Sequence, residues 1–469
     1  MGCPQTQAAT YVARNPKKTV LYSTLRSNWE AFQTKSSGEE GLPLYVKDEF
    51  EEYFKCGDLW HGFLRLKCKG CEKTSLVALS CKKRGFCPSC AGKRMNESSL
   101  FFSENVIPEN VPVRQWVLSL PMPARFWMAR SPRLTSKMLK IFISSIKRHY
   151  VRETLKANPE LKVETGFLTV IQRFGSSLNL NIHFHTLSLD GVIITNKNGG
   201  APKFVAQEKF SDTDVEKVLA DAQKKMIRHL QKIGLLRKTE GDGGGEVEIS
   251  EQGALPGIQT ASVMYSIATG ENAGQKIRKI GSFGDASEKP QTTASLTAVL
   301  GGFSLHAGTR VDERQRLEML CKYLLRPPIA DKRLKKLHNG DVQLELKTQW
   351  RDGTRAIILT PGELIEKLVA IIPMPRTHQV RFHGVLAPNS KSRAKVIPAR
   401  GQQLEIESVP KSKVVKRRTT WRELLKRVFQ IDLSVCGACG GEVVFEHVVM
   451  RRVEIEHELG LLGMTEAPD

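Results

Sequence analysis

Two histidines separated by a single residue, His183-Phe184-His185, are the positions of this chain best spaced for metal chemistry. They lie in LNLNIHFHTLSL, residues 178–189, whose alternation is that of a strand. Period-two geometry puts Asn181, His183 and His185 on one face, with both imidazoles within reach of one ion. Phe184 points to the opposite face, into a core. Ile182, Phe184 and Leu187 mark departures from the polar face, so the pattern is expected to slip after Thr186. A strand over residues 167–174 precedes it, across the turn Gly175-Ser176-Ser177. A hairpin that turns near Ser177 sets Gln172 opposite His183, and cross-strand partners share a face at about 5 Å. Two imidazoles, one amide and open positions suit Mg²⁺ or Mn²⁺, with a phosphate oxygen filling a vacancy. His306, in GFSLHAG, is a rival third ligand supported by no pairing.

A nucleophile is offered by residues 311–330, VDERQRLEMLCKYLLRPPIA. Leu317, Leu320, Cys321 and Leu324 form the apolar stripe of a helix over residues 312–326, stopped by Pro327 and Pro328. Tyr323 sits beside that stripe in the last turn. Arg316 is two turns back on nearly the same face, and Arg326 follows. A free phenol has a pKa near about 10, so it needs cations or a metal to attack at neutral pH. Attack on phosphorus would form a phosphotyrosine, free a 3′-hydroxyl and keep the bond energy for rejoining.

Cysteines supply a second kind of metal site. Cys68-x-x-Cys71 and Cys87-x-x-Cys90 are two hooks whose thiolates can complete a zinc tetrahedron. Cys56, His61 and Cys81 are nearby spare ligands. A region so polar needs metal to fold, which makes zinc structural here. Lys82, Lys83 and Arg84 lie on the same scaffold and point to DNA contact. Cys436-x-x-Cys439 is a lone and weaker hook, for which His447 or His457 are candidate partners.

The elements that must position these groups follow from pattern. Residues 21–32 and 45–54 have helical spacing, 113–120 reads as a strand and 134–155 as a helix. Residues 212–236 read as a helix with Ser211 as N-cap. A strand pair near 341–359, a helix at 362–371 and a strand at 379–386 complete an α+β pattern. The expected organisation is a helical lead-in (1–55), a zinc-binding module (56–100) and a catalytic domain (110–388) with a flexible insertion at 239–257. A basic tether (389–420) and a small C-terminal module (421–469) follow.

Bulk properties narrow the function. Lys and Arg total 71 against 49 Asp and Glu, a net charge of +22. A field of that size attracts polyanions, and nucleic acid is the usual partner. Hydrophobic residues at 40% exclude a disordered chain. No long apolar run predicts a membrane span and no apolar leader predicts secretion, so a cytoplasmic protein is expected. Ten cysteines in a reducing compartment then read as metal ligands.

Several blocks together resemble a known family. QRFGSSLNLNIHFHTLSLDGV is similar to the His–hydrophobic–His block of rolling-circle insertion-sequence transposases related to insertion sequence 91 and to the common-region elements. CKYLLRPPIA resembles their tyrosine block, SCKKRGFCPSC their zinc-binding block, FHGVLAPNS a later block and WRELLKRVFQIDLSVCGACGG their C-terminal end. The likeness runs over roughly residues 50–445. It implies an HUH-nuclease-like domain with a central antiparallel sheet flanked by helices. It also implies nicking of single-stranded ends of a mobile element, a covalent 5′-phosphotyrosine and strand transfer in a bacterial, nucleoid-associated setting. By position, His183 and His185 become metal ligands and Tyr323 the nucleophile, with Arg316 and Arg326 beside the DNA. Some members have a second tyrosine four residues earlier. Here that position is Met319, as in the single-tyrosine common-region branch. The second attack then falls to Tyr323 again, to a 3′-hydroxyl or to a second subunit of a homo-oligomer. The rival readings are a plasmid relaxase or replication initiator with the same chemistry, and a non-enzymatic zinc-finger DNA-binding protein.

Overall fold

The computed structural model describes residues 15–36, 41–157, 159–195, 202–207, 209–236, 253–281, 295–350, 352–397 and 434–464. The chain begins with helices α1 (Val20–Lys35) and α2 (Leu44–Lys55), strands β1 (Phe63–Cys68) and β2 (Thr74–Ala78), and helix α3 (Pro88–Asn105). The central part runs β3 (Val113–Ser119), α4 (Met122–Arg130), α5 (Pro132–Ala157), β4 (Lys162–Glu164), β5 (Gly166–Phe174), β6 (Leu180–Leu189), β7 (Gly191–Thr195), β8 (Lys203–Ala206), α6 (Asp212–Lys232) and α7 (Ala254–Val263). It continues through β9 (Arg278–Gly281), β10 (Thr297–Leu300), β11 (Phe303–Val311), α8 (Arg314–Leu324), β12 (Leu334–Lys336), β13 (Val342–Glu345) and β14 (Thr354–Leu359). Helix α9 (Pro361–Ile371), β15 (Val380–Gly384), α10 (Arg393–Val396), β16 (Val443–Val449) and α11 (Arg452–Leu461) close the chain. The architecture is α+β, with antiparallel sheets flanked by helices.

The largest sheet has the order β10-β11-β3-β6-β5-β15, all neighbours antiparallel. Its centre is the expected hairpin of β5 and β6. The turn closes through hydrogen bonds from Gly175 N–H to the Asn179 carbonyl (2.9 Å) and from Leu178 N–H to the Gly175 carbonyl (3.2 Å). A Cβ at Gly175 would stand 2.2 Å from Asn179 Oδ1, so only glycine permits this approach.

One face of the sheet carries Trp116, Leu118, Phe167, Ile171, Ile182 and Phe184 into the main core. The other face carries Val113, Leu168, Val170, Leu187 and Leu189 into a second core, completed by Leu317, Cys321 and Leu324 of α8 and by Phe102 beneath it on α3. Strand β6 is thus buried on both faces. Polar and apolar residues therefore share each face: Leu187 and Leu189 lie with the histidines, and Thr186 and Ser188 with Phe184. The slip expected after Thr186 does not occur: β6 keeps one register against β3 from His183 to Leu189, and Leu187 lies on the histidine face.

Smaller sheets flank this centre: β12-β13-β14-β9, β4-β7-β8 and β16-β1-β2. The last changes the expected domain plan. Strand β16 pairs with β1 from Phe63↔Val449 to Cys68↔Val443, so the chain's end completes a sheet begun near its start rather than standing as its own module. Of the expected insertion at 239–257, residues 253–257 are described and open α7, while the rest lies outside the described residues. Residues 398–420 of the expected tether also lie outside them. Among the described residues no helix is long and apolar enough to cross a membrane.

Candidate functional site

The register of the hairpin puts Gln172 directly opposite His183. A bulge between Gln172 and Phe174 follows at once, the kind of irregularity that re-aims a side chain. Gln172, His183 and His185 are all buried. The Nε2 atoms of His183 and His185 converge to 3.0 Å. Their other nitrogens are held from behind. His183 Nδ1 donates to the Asn181 carbonyl at 2.8 Å, which leaves its Nε2 with a free lone pair. The Gln115 amide lies 2.9 Å from His185 Nδ1, at the diagonal position one strand over.

Burial lowers both imidazoles, His183 to about 4 and His185 well below its ordinary value, with Arg326 adding to both shifts. Neutral imidazoles are what a metal needs. Gln172 donates its amide N–H to the Leu324 carbonyl at 3.2 Å. Its Oε1 is buried without a hydrogen-bond partner, and so is Asn181 Oδ1. A separation of 3.0 Å between donor nitrogens matches adjacent corners of an octahedron with bonds of about 2.1 Å. The donor set therefore fits a divalent cation. His306 sits on the same face in β11 but two strands away, paired to Val117, which in turn pairs to His185. Gln172, by contrast, is the direct cross-strand partner of His183.

Helix α8 lies across this face and brings Tyr323 to it. The Tyr323 ring meets His185 edge-on at 6.1 Å between centroids, and Arg326 stacks over the same ring at 4.5 Å. Leu317, Cys321 and Leu324 anchor the helix, while Tyr323 remains half exposed. Arg316 is elsewhere engaged, with its Nε 3.3 Å from Glu313. Met319, four residues before Tyr323, is exposed.

The cysteines gather differently from the expected tetrad of Cys68, Cys71, Cys87 and Cys90. Cys87 and Cys90 join Cys56 and Cys81, with Sγ separations of 3.5 Å (Cys56–Cys87), 3.7 Å (Cys56–Cys90) and 3.4 Å (Cys81–Cys90). Cys68 and Cys71 join Cys436 and Cys439 instead. Zinc–sulfur bonds of about 2.3 Å put tetrahedral sulfurs about 3.8 Å apart, so the first cluster has the dimensions of a zinc site. Its cysteines hang from the end of α2, a loop and the start of α3, and three of them belong to the main core. His61 is no ligand: it stands 4.0 Å from Asp58 on the surface. Neither His447 nor His457 belongs to either cluster. Lys82, Lys83 and Arg84 form the loop between Cys81 and Gly85, and Arg94 pins the Lys82 and Lys83 carbonyls at 3.1 Å each.

Residues 24–120 match the family of the transposase zinc-binding domain of the insertion sequence 91 type, and residues 166–394 match a family described as putative transposase. Both matches are consistent with an insertion sequence 91 transposase. No curated protein and no solved structure matches it. DNA is thus the partner of this transposase, and structural zinc belongs to its N-terminal domain.

Three groups of the transposase escaped the sequence reading. Gln115 was hidden in an apolar strand, though a glutamine inside such a strand is itself a signal. Arg333 and Lys347 come from segments after α8. Arg333 donates to the Glu345 carbonyl at 2.8 Å and the Ser176 carbonyl at 2.6 Å. Lys347 is pushed down to about 8 by partial burial and by the neighbouring Arg326, Arg333 and Lys332. Arg326 Nε is buried without a partner. This cation cluster at the edge of the histidine face is self-repulsive, and an anion such as a phosphate would relieve it.

Proposed function

We propose that this transposase nicks and rejoins single-stranded DNA through a 5′-phosphotyrosine on Tyr323, at the ends of a mobile element. The observation that carries the reading is the convergence of Tyr323 with two Nε2 atoms and an unpartnered amide oxygen on one buried sheet face. His183, His185 and Gln172 would hold Mg²⁺ or Mn²⁺, which when bound supplies Lewis-acid polarisation of the scissile phosphate. Arg326 orients the Tyr323 ring from above and, with Lys347, gathers the phosphate. The Tyr323 oxygen forms the new bond to phosphorus as the bond from phosphorus to the 3′ oxygen breaks. The phenolic proton goes to solvent and the 3′ oxygen takes one up. Rejoining reverses the exchange, with a 3′-hydroxyl attacking the phosphotyrosine, so no nucleotide is consumed. With Met319 in the earlier position, Tyr323 is the single nucleophile of α8.

The zinc-bearing module, through Lys82, Lys83 and Arg84, holds duplex or single-stranded flanks, since basic residues on a metal-fixed scaffold make phosphate contacts without reading sequence. The domain plan that follows is a DNA-gripping module over residues 56–100 and an HUH-nuclease-like domain over 110–388. The test is direct. Full-length protein with Mn²⁺ and a single-stranded end oligonucleotide should give a covalent adduct that survives denaturation. An adduct that persists in Tyr323→Phe would overturn the assignment of the nucleophile. Full DNA binding without any adduct in the wild type would favour a non-enzymatic role.

A further inference from the structure

The zinc-binding domain family ends at residue 120, yet two of its six cysteines find no partners within it. Cys68 Sγ is 3.4 Å from Cys439 Sγ, 371 positions away, and Cys71 Sγ is 3.6 Å from Cys436 Sγ, 365 positions away. All four sulfurs lie within 4.8 Å of one another. The backbone around them is shaped for thiolates. Gly70 N–H donates to Cys68 Sγ at 3.3 Å, and Gly441 N–H to Cys439 Sγ at 3.4 Å, so each hook turns a backbone amide toward sulfur. A Cβ at Gly441 would lie 3.1 Å from Cys68 Sγ and 3.2 Å from Cys439 Sγ, so glycine lets the two hooks close on each other. The hooks are also zipped together from outside. Lys69 N–H donates to the Glu442 carbonyl at 2.9 Å, and Lys69 Nζ pairs with Glu442 at 2.8 Å.

We infer that Cys68, Cys71, Cys436 and Cys439 form a second zinc site, which fastens residues 434–464 to the N-terminal module. The chemistry is four thiols losing their protons to solvent and binding one Zn²⁺ as thiolates, with no redox change. Physical need supports it. Among the described residues the segment shares a small core of Phe63, Val449, Ile455 and Leu459, with Leu59, Trp60 and Leu76 packed against it, and most of β16 is exposed. So small an apolar cluster does not hold a strand and a helix unaided, and metal is the usual staple at that scale. Polar links add little at the surface: Arg65 reaches Glu446 at 2.9 Å and also pairs with Glu458. The two sites differ in access, because Cys71 and Cys439 are exposed whereas three thiols of the first cluster are buried. The second site is complete only once residue 439 has been made, so its ion reports that both ends of the chain have met.

The experiment uses full-length protein, reduced and loaded with zinc, with elemental analysis and amide hydrogen exchange as readouts. Wild type should hold two zinc ions per chain and the Cys436→Ser/Cys439→Ser double variant one. In that variant β16 should lose protection while α3 keeps it, and Gly441→Ala should weaken the second ion alone. Chelator added to wild type should remove zinc in two phases, with β16 opening in the faster one. One zinc in the wild type, two in the double variant, or a β16 that stays protected after the first ion leaves would each overturn the inference. The chelator series decides the matter even if the double variant fails to fold.

Discussion

The histidine centre and the composite cysteine centre each gather donors from separate stretches of the chain, but over very different spans. Gln172, His183 and His185 meet through one hairpin, whose register is set by a short turn and whose neighbours are adjacent strands. Cys71 and Cys436 meet across 365 positions, through the pairing of β1 with β16. The first arrangement is built into local geometry and buried beneath a helix. The second is built by the closing of the whole chain and lies partly open. A site of the first kind stands or falls with the sheet, whereas one of the second kind can open while the sheet stays intact.

Six substitutions and a pH series would break or sharpen that contrast. The largest effect is expected from Tyr323→Phe, which should abolish the covalent DNA adduct on a denaturing gel while leaving DNA binding in place. His183→Ala should lower Mn²⁺-dependent cleavage by about 100-fold or more, since even residues behind metal ligands are worth about 10- to 100-fold. Its zinc content should match the wild type; a parallel loss of zinc would show that the two centres are not independent. Cys87→Ser, in the cluster embedded in the main core, should lower the melting temperature by about 2 °C or more, which corresponds to roughly 2 kcal/mol in a chain of this length. Equal destabilisation by Cys439→Ser in the same calorimetric scan would erase the distinction between embedded and composite clusters.

Gln115→Leu removes the support behind His185 without touching Gln172 or His183, and a metal titration should show affinity weakened by about tenfold. The smallest effect concerns Lys347. Its folded value is depressed to about 8, so it is cationic below that pH and neutral above it. Phosphate binding favours the cation, so affinity for single-stranded DNA should fall as pH rises from 7 to 9, by at most about tenfold. A Lys347→Gln protein with the same fall, measured by fluorescence anisotropy, would place the titrating group elsewhere.

What could be read from the sequence follows the same division. The hairpin, its turn and the Gln172–His183 pairing were legible because period-two alternation and a single glycine turn fix register locally. The helix of Tyr323 was legible from its stripe of Leu317, Leu320, Cys321 and Leu324 and its double proline stop. The cysteine partition was not. Cys68, Cys71, Cys87 and Cys90 have zinc spacing on paper, and nothing local shows that Cys56 and Cys81 lie nearer to the second hook than the first hook does. The strands β9, β10 and β11 were also missed: β9 and β10 are four-residue edge strands, and β11, though longer and inside its sheet, pairs with the remote β3. Leu187 misled because the histidine face is itself covered by α8, so polar and apolar residues no longer tell its two faces apart.

Helix α3 joins the two halves of this comparison. Cys90 of the embedded cluster sits in its first turn, and its far end packs under α8, where Arg314 donates to the carbonyls of Ser103 and Ile107. Eighteen residues of helix make a rod about 27 Å long. In mechanical terms it is a lever with the cysteine cluster at one end and the helix that carries the proposed nucleophile at the other. A tilt of about 3° at the zinc end moves the far end by roughly 1.4 Å, and an error of about 1 Å in a reacting group is enough to slow a reaction by about 100-fold. Strain imposed on the module by bent or stretched DNA would therefore be felt as a change in the aim of Tyr323.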